Sequence, residues 1–163
     1  MAVSNPSGSS LWSELYNSTQ SASTGATLVS SGITGKVIRV QVNGQIAAGG
    51  TGAFLIRVNG VTGASYQNRY FNATTTLTTG NLTGITMGSG AVGSIVRIAG
   101  VVEIFVKAYN NGATANVQWV GGAFDPQNAN NNTIAGNVPT SDVTSIEFSS
   151  AQAFTGQILI DQR

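Results

Sequence analysis

The stretch Lys36-Val37-Ile38-Arg39-Val40-Gln41-Val42-Asn43-Gly44-Gln45 decides the fold. Successive side chains of an extended chain point to opposite faces, so Ile38, Val40 and Val42 share one side and Val37, Arg39 and Gln41 the other. Ala53–Val58 repeats the pattern, with Phe54, Ile56 and Val58 set against Leu55 and Arg57. Val101–Tyr109 is the longest case: Val102, Ile104, Val106 and Ala108 alternate with Glu103, Phe105, Lys107 and Tyr109. Shorter strand candidates are Thr27–Ser31, Ile95–Ala99, Ala115–Val120, Val143–Ser149 and Gln157–Asp161, all dominated by β-branched and aromatic residues.

The punctuation between these runs agrees. Asn43-Gly44, Asn59-Gly60 and Asn111-Gly112 are expected at tight turns, because Asn and Gly tolerate positive φ. Gly49-Gly50, Gly88-Ser89-Gly90, Gly121-Gly122 and the polar run from Asp125 to Asn132 are expected to be loops. Ser10–Tyr16 fits either a short amphipathic helix capped by Ser10 or a first strand, and a strand agrees with every later element. Residues 1–10 lack periodicity, and Pro6 biases Asn5 away from helix, so they read as an extended arm before a single domain over 11–163. Strands spaced by roughly 8–12 residues with turn signals between them predict an all-β fold, an antiparallel sandwich or barrel.

Composition narrows the function. The chain has 163 residues, 41% hydrophobic but only 8% charged, with 21 Gly and no Cys or His. Without Cys and His there is no common zinc, haem or iron–sulfur site, and no Cys-His or Ser-His-Asp catalyst. A formal net charge of +1 offers no basic field for nucleic acid or anionic lipid. No apolar run approaches the roughly 18 residues of a membrane span, and Met1–Pro6 lacks a secretory pattern. The expectation is a folded chain with no cofactor, no metal and no catalytic residue.

The residues with chemistry to offer are few. A glycosidase needs two carboxylates about 5–10 Å apart. Of the six available, Glu103 and Glu147 are the pair that could serve, and solvent-facing or subunit-facing strand positions are the better reading. Asp125 before an Asn-rich loop hints at calcium, but Gln127 occupies a position where that loop pattern requires Asp or Asn. Gly84-Ile-Thr-Met-Gly88 lacks the Lys-Ser/Thr of a phosphate loop. Four Asn-X-Ser/Thr triplets, at Asn17, Asn72, Asn81 and Asn131, are expected by chance in so Asn- and Thr-rich a chain. Tyr66 and Tyr70, after a Gly-rich turn, are candidate glycan-facing aromatics. If Val102 and Ile104 face the core, Glu103, Phe105, Lys107 and Tyr109 form an outward mixture of apolar and charged groups, the chemistry of a partner surface.

Three segments resemble a diffuse group of tailed-bacteriophage virion proteins: jelly-roll capsid decoration (cement) proteins and tail-fibre components. One is Trp12-Ser-Glu-Leu15, a Ser/Thr/Ala stretch, and Ala26-Thr-Leu-Val-Ser-Ser-Gly-Ile33. Another is Ile56-Arg-Val-Asn-Gly60 leading to Ser65-Tyr66-Gln-Asn-Arg-Tyr70. The last is Val143-Thr-Ser-Ile-Glu-Phe148 followed by Phe154-Thr-Gly-Gln-Ile158-Leu-Ile160, like that group's penultimate strand, Gly-containing turn and final strand. Those proteins commonly end Leu-Tyr-Gly, whereas this chain closes with Ile160-Asp161-Gln162-Arg163.

The resemblance implies an antiparallel β-sandwich of jelly-roll type and a structural, non-enzymatic role. It implies a homotrimer on the exterior of the virion capsid, made in the bacterial host cytoplasm and bound to the major capsid protein. Contacts are expected from Val3, Pro6, Leu11 and Trp12 of the arm and its root, and from Glu103, Phe105, Lys107 and Tyr109. A tail-fibre or receptor-binding module that binds carbohydrate through Tyr66 and Tyr70 is the alternative, and a small glycoside hydrolase using Glu103 and Glu147 the third reading.

Overall fold

A computed structural model describes residues 11–29, 31–47, 53–63, 65–71, 78–89, 95–110, 115–125, 130–140 and 142–163. These residues form antiparallel strands only: β1 (Ser13–Val29), β2 (Val37–Ile46), β3 (Ala53–Val58), β4 (Tyr66–Phe71), β5 (Thr78–Leu82), β6 (Ile85–Ser89), β7 (Val96–Asn110), β8 (Ala115–Asp125), β9 (Asn130–Val138) and β10 (Ile146–Gln162). The root of the arm is therefore strand, not helix.

The strands join in one sheet ordered β5-β4-β9-β8-β7-β2-β10-β3-β6, with β1 on β10. Its first and last members, β5 and β6, follow one another in the chain with only Thr83 and Gly84 between them. The two ends of the path are thus tied together, the sheet is nearly closed, and β6 lies against β7 and β8 across the core.

β10 organises this curl. One edge of it carries β1 along its whole length. The opposite edge carries β2 from Gln162 to Phe154, then β3 from Ser150 to Ile146. β2 and β3 thus run in the same direction along one edge. β1 changes register between Gln20 and Gly25, beside this change of neighbour, and such bulges bend a strand. Phe54, Phe148 and Phe154 fill the corner, with ring centroids 4.8 Å apart for Phe54–Phe154 and 6.2 Å for Phe54–Phe148.

The alternation expected from sequence points the core inward. Ile38, Val40, Val42, Phe54, Ile56, Val58, Val102 and Ile104 are all buried, each burial contributing roughly 1.5–3 kcal/mol relative to exposure. Val106 packs partly buried against them.

Several turn expectations are corrected. Asn43-Gly44 lies inside β2, opposite Gln157 and Gly156. Gly121 and Gly122 lie inside β8, where a Cβ on Gly121 would strike the Val101 carbonyl of β7. Gly88 and Ser89 belong to β6, and Asn130–Asn132 to β9. Val143–Ser149 and Gln157–Asp161 are not two strands about a turn: Ile146 to Gln162 is one strand of 17 residues, with Gly156 within it. At Gly44, Gly121 and Gly156 the missing side chain serves close strand packing, not reversal. Asn59-Gly60 is the expected turn. Both residues have positive φ, 54° and 64°, and Val61 N–H donates to Val58 O at 3.1 Å, the pattern of a type I′ turn. Asn111-Gly112 and Gly49-Gly50 lie outside the described residues.

Candidate interaction surface

Cross-strand register assembles the outward side chains into rows. One row reads Glu14 (β1), Asp161 (β10), Arg39 (β2), Glu103 (β7) and Val120 (β8). At its centre Arg39 Nη2 donates to Asp161 Oδ2 at 2.9 Å, and Gln41 Nε2 donates to the same oxygen at 3.2 Å. The Trp12 ring packs on this pair, 4.0 Å from the Arg39 guanidinium carbon and 4.6 Å from that of Arg163. Guanidinium over an aromatic face is attracted by the ring quadrupole. Trp12, just before β1, is thereby fastened to β2 and to the end of β10, and Asp161 is buried although it belongs to the outer face.

The neighbouring row is apolar and amide-rich. Leu159, Gln41 and Val101 lie in register across β10, β2 and β7. Together with Asn43, Ala99 and Gln157 they line a depression of about 340 Å³. Val101 and Val120 are 40% and 45% exposed, on adjacent strands and diagonal to one another. Phe105 is half-buried on the same face, opposite Val37 and Gln118. This surface combines exposed apolar groups, side-chain amides and an ion pair.

The sequence-derived contact residues fall as follows. Glu103 and Phe105 lie on this face, and Trp12 covers its end. Leu11, beside Trp12, is 69% exposed. Lys107 and Tyr109 continue β7 beyond Phe105, across a register shift, and their side chains lie outside the described residues, as does the whole of Val3 and Pro6.

Tyr66 is a correction. It is fully buried, and its hydroxyl accepts from Val58 N at 2.7 Å and donates to Val58 O at 3.3 Å. The ring fills the core and the hydroxyl closes the end of β3, so Tyr66 presents nothing to a glycan. Burial pushes its phenol above the usual tyrosine range, against a smaller lowering by the Val58 hydrogen bond. The Tyr70 side chain lies outside the described residues.

Glu103 and Glu147 are not brought together as a catalytic pair. Glu103 aligns, through Arg39, with Asp161 near one end of β10, whereas Glu147 sits near the other end. At about 3.3 Å per residue nearly the full length of β10 separates those positions, far beyond a 5–10 Å pair. Glu147 is engaged by Arg57 Nη1 at 2.6 Å, while Arg57 Nε donates to Thr83 O at 3.0 Å and pins the β5–β6 connection. No group of three or more acidic residues is placed to hold a metal among the described residues. The Arg39–Asp161–Trp12 cluster was missed in sequence because its members stand far apart in the chain and meet only through strand register.

No protein-family model matches this chain, and no curated protein or solved structure matches it significantly.

Proposed function

We propose that this chain is a structural virion protein of a tailed bacteriophage, a trimeric decoration protein on the capsid exterior whose nearly closed sheet is of jelly-roll type. The observation that carries the reading is the outer face of β10, β2, β7 and β8. It sets exposed Val101 and Val120 beside a depression walled by amides, and its central ion pair is internally neutralised. A protein that assembles in many copies needs such a face, and a closed three-fold ring satisfies it. The resemblance of the Trp12–Ile33, Ile56–Tyr70 and Val143–Ile160 segments supplies the phage context. Residues 1–10 and the exposed Leu11 are then the part that reaches the major capsid protein. The carbohydrate-binding reading loses Tyr66 to the core, and the hydrolase reading loses the proximity of its two carboxylates.

The test adds purified protein to expanded capsids that lack it. Co-sedimentation, trimeric density in an image reconstruction, and a trimer mass by light scattering are expected, with Val101→Asp reducing both assembly and binding. A monomer at micromolar concentration that leaves capsids bare overturns the proposal.

A further inference from the structure

Among the described residues β1 has one partner strand, β10, which it follows along one edge. Its other edge presents a row of backbone N–H and C=O groups, the template for a further strand. Two limbs of that edge are regular. Tyr16–Gln20 pairs without a break with Ile160–Gly156, and Gly25–Val29 with Ser150–Ile146. The register shifts lie between Glu14 and Tyr16 and between Gln20 and Gly25.

Neither limb carries the usual protection of a solitary edge: both lack charged residues and Pro. In the first limb the side chains bond along β1 or back to β10. Gln20 Nε2 donates to Ser18 Oγ at 2.8 Å and to the Tyr16 hydroxyl at 3.1 Å, and Asn17 Oδ1 accepts from Gln157 Nε2 at 3.1 Å. None of these bonds caps the outer backbone edge.

The complement of both limbs is a second β1. β5 and β6, the other strands with a single partner among the described residues, have 5 residues each and cover one limb at most. A two-fold axis at the irregular middle of β1 sets Tyr16, Ser18 and Gln20 opposite Val29, Thr27 and Gly25 of the second copy. It also sets Asn17 and Thr19 opposite Leu28 and Ala26 of that copy. Each limb then meets the other limb, and the irregular segments face one another. The faces agree as well. Positions 16, 18, 25, 27 and 29 pair with the buried row of β10, namely Ile160, Ile158, Ser150, Phe148 and Ile146. Directly opposite residues of an antiparallel pair share a face, so this register joins core side to core side, and a slip of one residue would not. We propose that β1 pairs with β1 of a second copy of this chain across a two-fold axis, making the two sheets continuous. This contact does not depend on the role proposed for the outer face. Where both form, β1 links one trimer to the next.

The test uses the full chain carrying Val101→Asp, which removes the three-fold contact without touching β1. Light scattering at up to millimolar concentration should give a dimer mass. The chain has no Cys, so Thr19→Cys with Ala26→Cys introduces the only thiols. Mild oxidation should convert this double variant to a covalent dimer. Neither single variant should cross-link, because equal positions in the two copies then stand roughly 23 Å apart at 3.3 Å per residue. Thr19→Lys with Ala26→Lys, and Thr19→Glu with Ala26→Glu, each set two like-charged pairs across the ladder. Each should raise the dimer dissociation constant about 2–30-fold, and an equimolar mixture of the two should restore it. A monomer at millimolar concentration, no covalent dimer, equal cross-linking of the single variants, or a mixture no tighter than its components overturns the proposal.

Discussion

Gly44 of β2 and Gly156 of β10 stand directly opposite one another, and neither position has space for a Cβ. A Cβ on Gly44 would lie 2.5 Å from Thr155 O and 2.7 Å from the Phe154 ring, and one on Gly156 would run into Asn43 O. This close approach lets Phe154 fold over β2 into the aromatic corner where β10 exchanges β2 for β3. Gly156→Ala and Gly44→Ala should each destabilise the fold by about 1–3 kcal/mol, the usual cost of overpacking. Gly60→Ala tests a different effect, since nothing lies within 4 Å of its Cβ and only its φ of 64° opposes the change. Urea unfolding of the three variants checks the order, with Gly60→Ala expected to be the mildest.

Asn59 joins the turn after β3 to the approach of β10. Its positive φ and its side-chain clamp on Asp142 O and Thr144 N are separable. Asn59→Gly keeps the backbone conformation and loses the clamp, at about 0.5–1.5 kcal/mol, because the groups it held lie largely exposed and can bond water instead. Asn59→Ala should cost roughly 1 kcal/mol more, because Ala is disfavoured at positive φ. Equal stability of the two variants in denaturant titrations would show that the turn has relaxed to another conformation.

Tyr66 predicts the pH response. Its phenol is raised above the ordinary value of 10.0, chiefly by burial. Above about pH 10 the unfolded state therefore releases this proton first, the folded state holds more protons, and stability falls as pH rises. Below that range Tyr66 contributes a constant amount. With no histidine in the chain, Tm should be nearly flat between about pH 5 and 8. Tyr66→Phe should be less stable at pH 7, having lost both bonds to Val58, and should show a shallower loss of Tm between about pH 10 and 11. Calorimetry across that range reads both effects.

Trp12 fastens the start of β1 through Arg39 and Arg163. Trp12→Ala should cost about 1–2 kcal/mol from lost guanidinium stacking and packing, and Trp12→Phe appreciably less, because a smaller ring face remains. Amide hydrogen exchange at Glu14–Tyr16 should accelerate in Trp12→Ala while exchange in the Phe54–Val58 strand stays unchanged. Uniform acceleration would show that Trp12 supports the whole fold and not this corner alone.

Much of the architecture is legible along the chain. Period-2 alternation marks Ile38–Val42, Phe54–Val58 and Val102–Ile104 as strands and orients them, because burial of one face is a local pattern that a strand must repeat every two residues. The positive φ of Asn59-Gly60 is equally local. So is the scarcity of charge. Other features depend on residues the chain brings together only when folded. Gly44, Gly121 and Gly156 resemble turn residues in isolation, yet each lies within a strand where another backbone approaches too closely for a side chain. Tyr66 looks like a surface aromatic until Val58 is placed against its hydroxyl. Glu103 and Glu147 look like a possible pair until β10 separates them. The Arg39–Asp161 bridge beneath Trp12 exists because antiparallel register sets residue 39 against residue 161. Local patterns select the strands, because side-chain direction alternates within each one. Which strands become neighbours, and which polar groups therefore meet, depends on pairings between distant segments, and those are decided only when the sheet curls upon itself.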